Sequence, residues 1–120
     1  MKQEDKELLL KDLCARLPYG VKVKDTYYNY DENSATIWLL DLNAQKVRIF
    51  ADEDWQSIEY IKPYLFPLSS MTEEQRKEYG LVLCGELSIT QYDWLNAHHF
   101  DYRGLIEKGL AIDATNKNIY

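Results

Sequence analysis

The chain has 120 residues, of which 46% are hydrophobic and 28% charged, with ten tyrosines, three tryptophans and a formal net charge of −6. That length and balance suit one globular domain with a single core and exclude a disordered chain. Lys and Arg are not clustered as a phosphate-backbone partner requires, and no segment nears the roughly 20 apolar residues of a membrane span.

The single domain, residues 1–120, is expected to open with a helix over about 4–17. Leu10, Leu13, Cys14 and Leu17 fall at i, i+3, i+4 and i+7, one apolar stripe, with Lys11, Asp12 and Arg16 off it. Pro18-Tyr19-Gly20 then turns the chain. The only cysteines, Cys14 and Cys84, read as reduced, buried thiols of a cytoplasmic protein. MKQEDKELLLKDL carries no signal-peptide pattern.

Residues 21–62 read as a β meander. Val21 and Val23 alternate with Lys22 and Lys24, ATIWLLDL is a richly apolar strand, Val47 and Ile49 alternate with Lys46 and Arg48, and WQSIEYI is a shorter fourth strand. Turns are expected at Asp31 to Ser34, Leu42 to Gln45 and Ala51 to Asp54. Pro63 and Pro67 are expected to stop the sheet.

Helices are expected over 70–112. Ser70-Met71-Thr72-Glu73 has the form of a capping box for a helix to about Leu83, closed by Gly85. Thr90 caps a second helix reaching His99. Asp101 caps a third, Tyr102 to Lys108, with Gly109 placing Leu105 and Leu110 in Schellman contact. The tail, 114–120, is polar and expected to be loose apart from Ile119 and Tyr120.

The fold class these elements define is α+β. An N-terminal helix precedes a four-stranded antiparallel meander, an SH3-like sheet or half-barrel, and two to three C-terminal helices pack on one face. Leu10, Leu13 and Leu17 would meet Ile37, Leu39, Val47 and Ile49 in the core.

His98 and His99 are adjacent, so on a helix their side chains diverge by about 100° and cannot chelate one ion. No third ligand stands at a metal-like spacing, and no glycine-rich phosphate loop or paired nucleophile and base is evident. No catalytic, cofactor-binding or metal residue is therefore assigned. One imidazole is expected to pack or cap the helix end while the other meets solvent.

The segments LCARLPYGVKV, IKPYLFPLSSMTEEQ and DWLNAHHFDYRGLIEKGLAI together resemble a group of short uncharacterised proteins encoded in gut anaerobic bacteria and in their phages and mobile elements. The resemblance covers a little over a third of the chain. It implies a mobile-element origin and a cytoplasmic setting, but no activity and no functional residues.

The residues point to a small non-enzymatic module that binds another protein and neither nucleic acid nor membrane. Between Asp31 and Tyr60 seven acids face only Lys46 and Arg48. Aromatic, Arg and acidic residues make the candidate contacts: Trp94, His98, His99, Tyr102 and Arg103, and the turn Asp52, Glu53, Asp54 with Trp55. This reading expects an exposed patch containing some of Tyr27, Tyr28, Trp38 or Trp55. One alternative is a small enzyme using His98 or His99 with Asp93 or Asp101. Another is a helix-turn-helix-like nucleic-acid binder whose reading helix would be Tyr102 to Lys108.

Overall fold

A computed structural model describes residues 1–27, 35–49 and 55–120, without the Trp38 side chain. The expected turns at 31–34 and 51–54 lie outside the described residues, as do Tyr28 and the acidic residues Asp52, Glu53 and Asp54.

The first helix, α1 (Gln3–Arg16), carries Glu4 and Asp5 in its first turn, where the helix dipole favours anions. A 3-10 turn over Leu17–Tyr19 follows, closed by Gly20 at φ +70°. The buried face of α1 differs from the expected stripe. Leu10 and Leu13 of that stripe are buried, but the others buried with them are Leu9, Asp12 and Arg16, so that Leu9, Asp12, Leu13 and Arg16 form a second i, i+3, i+4, i+7 set, and Cys14 is exposed. The stripe is rotated because an aspartate and an arginine one turn apart can be buried together when they neutralise each other. Cys84 is exposed as well, so neither thiol is a core residue.

Among the described residues seven strands form one mixed sheet that curls into a half-barrel: β1 (Lys22–Asp25), β2 (Ala35–Asp41), β3 (Lys46–Ile49), β4 (Gln56–Ser57), β5 (Ile61–Pro67), β6 (Phe100–Asp101) and β7 (Ile112–Asp113). Their hydrogen-bonded order is β4-β3-β2-β1-β5-β6, with β7 also on β5. The pairs β1–β2, β2–β3, β3–β4 and β1–β5 are antiparallel, whereas β6 and β7 run parallel to β5. The meander is therefore present, but its fourth strand is only two residues long and gives way to a 3-10 turn at Ile58–Tyr60. Within β2 the register shifts between Ile37 and Leu39, so the alternation changes parity. Ile37 is buried and Leu40 packs on the core, while Leu39, expected inside, is exposed.

The largest correction is β5. IKPYLFP holds two prolines yet pairs with three strands. The Thr26 N–H donates to the Tyr60 carbonyl at 2.7 Å, which puts the antiparallel rungs toward β1 on Tyr60 and Lys62 and skips Pro63, the partner of Val23. Pro63 thus turns its missing N–H away from β1, and β7 begins to pair only at Tyr64. Pro67 ends the strand. A proline is tolerated where no ladder bond is asked of it.

Past that point β1 and β5 part. Lys22 and Tyr64 would be the next rung, and the Tyr120 hydroxyl stands between them. It accepts from the Lys22 N–H at 2.9 Å and donates to the Tyr64 carbonyl at 2.8 Å. The Lys22 ammonium donates to the Ile119 carbonyl at 2.9 Å. Ile119 and Tyr120, the two residues excepted from the loose tail, thus tie it to the sheet.

Two helices lie between β5 and β6. Thr72, two residues after the expected Ser70, caps α2 (Glu73–Leu83) in a reciprocal box with Gln75. Ser70 instead ends a 3-10 turn, with its hydroxyl on the Pro67 carbonyl. Thr90 caps α3 (Gln91–Ala97) as expected, but the helix stops two residues before His99. The third helix does not form. Asp101 accepts from the N–H groups of Arg103, Leu105 and Ile106, the capping role foreseen for it, and Gly104 at φ +74° diverts the chain into a hydrogen-bonded turn. Its closure is the expected one. Gly109 sits at φ +74°, where glycine pays no Cβ penalty, and the Leu110 N–H reaches the Leu105 carbonyl at 2.9 Å.

The main core sets Leu9, Leu10 and Leu13 against Val21, Val23, Ile37, Val47, Ile61 and Leu65, joined by Leu105 and Leu110. A second cluster joins Val82 of α2 and Trp94 and Leu95 of α3 to Phe100, with Phe66 against it. The C-terminal helices thus build a small core of their own at the end of β5, where a cover over the sheet face was expected.

Replacing Tyr120 by Phe keeps the ring and removes the bridging hydroxyl. The Lys22 N–H and Tyr64 C=O lose their partner, at an expected cost of about 1–3 kcal/mol. Urea unfolding measures that loss, and faster hydrogen exchange at the Lys22 amide locates it.

Candidate functional site

Helix α3 places three of the candidate contact residues, and one is not on the surface. Trp94 is 2% exposed; its ring stacks on Phe100, 5.8 Å away with an interplanar angle of 6°, and its indole N–H donates to Glu78 Oε1 at 2.9 Å. It is a core residue where a partner contact was expected. His98 caps the end of α3 with its ring 4.2 Å from that of Trp94 and its Nε2 3.9 Å from Glu78 Oε1.

His99 takes the position after the cap, where glycine is usual, at φ +63°. Its N–H reaches the Asn96 carbonyl, and its own carbonyl accepts from the Phe66 N–H at 2.8 Å. Its ring lies flat on that of Tyr120, 3.7 Å away with an interplanar angle of 12°. Burial, then the nearby charges of Arg16, His98 and Lys22, push its pKa down to about 4. Burial also pushes the Tyr120 hydroxyl up to about 12. Both rings are neutral at pH 7. Both imidazoles pack, His99 on Tyr120 and the capping His98 on Trp94, where one was expected to meet solvent; His98 keeps one solvent-facing side.

The carboxylates proposed to work with them are elsewhere. Asp101 is spent on three backbone N–H groups, and the carboxylate nearest His98 is Glu78, not Asp93. Among the described residues no three His, Cys, Asp or Glu side chains are grouped to hold a metal ion.

The charged centre of the molecule is at Asp12, which sequence reasoning left on the solvent side of α1. One oxygen accepts from Arg16 Nε at 2.8 Å and the other from Arg103 Nη1 at 2.8 Å, and both Asp12 and Arg16 are fully buried. Arg16 Nη2 donates to the Phe100 carbonyl at 2.6 Å. Tyr102 lies between the guanidiniums, 5.3 Å from that of Arg16 and 4.7 Å from that of Arg103. Its hydroxyl accepts from Arg103 and donates to Asn96 Oδ1, both at 2.9 Å. Tyr102 and Arg103, singled out from sequence, meet here with Asp12, Arg16 and Asn96, which were not. The only local signal for the missed residues was the i, i+4 spacing of Asp12 and Arg16.

Two concavities meet over this cluster at Lys11, Ala15 and Arg103. One, of about 640 Å³, is mostly apolar, lined also by Leu10, Cys14, Leu42, Glu7 and Gln45. The other, of about 570 Å³, is polar and adds Tyr92, Asp93, Asn96 and Tyr102. Together they form a trough across α1.

A separate aromatic surface occupies the far end of β1. Tyr27 is 60% exposed, with its ring edge-on to Tyr60 at 5.0 Å, and Trp55 is 41% exposed. The Asp25 carboxylate accepts from the Tyr27 N–H at 2.9 Å and from Gln56 Nε2 at 3.2 Å, so the residue after Trp55 is tied to the residue before Thr26.

Comparison with protein-family models, with curated proteins and with solved structures finds no match to this chain.

Two outcomes test the charge assignments. Asp12→Asn leaves the buried Arg16 and the partly buried Arg103 without their shared counter-charge and is expected to destabilise by about 3–5 kcal/mol in chemical denaturation. Glu59→Gln, which breaks the exposed 2.8 Å pair with Lys6, is expected to change stability little.

For His99 the folded pKa lies below its unfolded value of 6.5. The unfolded chain therefore takes up a proton first as pH falls. Stability from this group is full above pH 6.5 and is lost between there and about pH 4. Discounted for the ring's partial exposure, the loss is roughly 2 kcal/mol. Urea midpoints across that range should fall for the native chain and stay flatter for His99→Asn, which tolerates the same backbone conformation without titrating.

Proposed function

We propose that this chain is a small non-enzymatic interaction protein, of phage or mobile-element origin as its segments suggest, whose partner is another protein. The observation that carries this reading is the pair of exposed aromatics Tyr27 and Trp55, with Tyr60 beside Tyr27. Large rings held in place offer contact area at little entropic cost, and such residues dominate the energetics of many interfaces. In sequence they are flanked by Asp31, Glu32, Asp52, Glu53, Asp54 and Glu59. The partner surface this combination fits is basic with an apolar centre.

The alternatives have less behind them. The segment meant to read DNA, Tyr102 to Lys108, is a turn, and of the two carboxylates the enzyme reading would use, Asp101 is held by backbone N–H groups while the carboxylate beside His98 is Glu78, not Asp93.

The test is affinity capture from the native cell lysate at two salt concentrations, with the intact chain and a Tyr27→Ala/Trp55→Ala variant side by side. The expected result is one basic protein retained by the intact chain, lost or at least tenfold depleted on the variant, and more weakly held at high salt. Equal retention by both would refute the surface, and an acidic partner would refute the charge argument.

A further inference from the structure

The trough over α1 lies apart from the aromatic surface and uses none of its residues. Its charge is unbalanced at the centre. Asp12 offers one negative charge to two guanidiniums, and of these Arg16 is wholly buried while the Arg103 side chain is 17% exposed. The surplus positive charge therefore reaches solvent through Arg103. Only Nη1 of Arg103 is engaged, by Asp12 and Tyr102; among the described residues its Nε and Nη2 have no hydrogen-bond partner. That free edge of a guanidinium is the one that takes both oxygens of a carboxylate. The group is also held in advance, paired to Asp12 and stacked on Tyr102, so a ligand need not freeze it.

Lys11 stands on the same rim, and one arm of the trough leading away from Arg103 is walled by Leu10, Cys14, Ala15 and Leu42. A volume of about 640 Å³ is that of a small-molecule site. The two carboxylates in the walls, Glu7 and Asp93, belong to opposite arms, which suits a singly charged head and disfavours a polyanion.

We propose that this trough binds a small amphiphilic carboxylate, its head on Arg103 and Lys11 and its alkyl chain along Leu10, Cys14, Ala15 and Leu42. Decanoate, below its micellar concentration, is a suitable probe, with decanol as the uncharged match. Titration calorimetry on the full chain should show decanoate binding at least tenfold more tightly than decanol. Arg103→Met should remove that preference. Because Arg103 also holds Asp12, a second variant is needed: Leu42→Asp, at an exposed turn position outside the ion cluster, should weaken decanoate at least tenfold in a chain that still unfolds cooperatively.

The two exposed cysteines supply an internal control. Decanoate should slow alkylation of Cys14 by N-ethylmaleimide and leave Cys84 unaffected. Equal affinity for decanoate and decanol, no binding of either, unchanged binding by Leu42→Asp, or equal alkylation of Cys14 with and without decanoate would each overturn the proposal. The Tyr27 and Trp55 substitutions leave these readouts alone, so this site and the protein-binding surface stand or fall separately.

Discussion

One buried carboxylate shared by two arginines sets the geometry on which the rest depends. Charges are costly to take out of water, and the cost is offset only when geometry and hydrogen bonding are nearly complete. Here Asp12 uses both oxygens, and Arg16 extends to a backbone carbonyl 84 residues along the chain. An apolar contact tolerates sliding by a fraction of a turn; this arrangement does not. It sets the register of α1 against the segment Phe100 to Arg103. That segment begins with β6, which runs beside β5, and its entry residue His99 lies against Tyr120. The ion cluster, the parallel pairing and the tied tail are consequences of one placement.

The same placement explains why the molecule has two apolar clusters instead of one. Polar atoms from Asp12, Arg16, Asn96 and Tyr102 stand between the leucine-rich core under α1 and the aromatic cluster around Trp94. The aromatic cluster is small and built from rings at fixed angles, with the α3 end closed by His98 and His99. A residue that looked suited to partner binding, Trp94, is used here as internal filling. The exposed Tyr27 and Trp55 lie just after β1 and just before β4.

What could be read from the residues alone was what local chemistry decides. The end of α1 at Pro18 to Gly20, the Thr90 cap, the closure at Gly85 and the Leu105–Leu110 contact across Gly109 all depend on neighbours within six residues. The antiparallel run from β1 to β4 follows from alternation within each strand and, between β2 and β3, from the turn at 42–45, also local. Two of the errors have distant causes. Whether Pro63 breaks a sheet depends on which edge its nitrogen faces, and that is decided by β1. Whether Asp12 and Arg16 are buried depends on Arg103, 91 residues away. The missing third helix was lost to Gly104, and Leu39 to a register shift in β2, neither of which periodicity records. For the site, sequence supplied Tyr102 and Arg103 but not their counter-charge, and so not the trough.

The hydroxyl of Tyr120 between Lys22 and Tyr64 has a bearing on time as well as on stability. It joins residues 98 positions apart, and the strands it bridges are themselves non-local: β5 pairs with β1 before it in the chain and with β6 and β7 well after it. Contacts that close such long loops form late, because the chain entropy is lost before the contact repays it. The meander and the three helices can form early from nearby residues, leaving β5 with one open edge until the 100–120 segment arrives. A chain paused at that stage would present an apolar strand, with Leu65 and Phe66 unpaired, to any other copy in the same state.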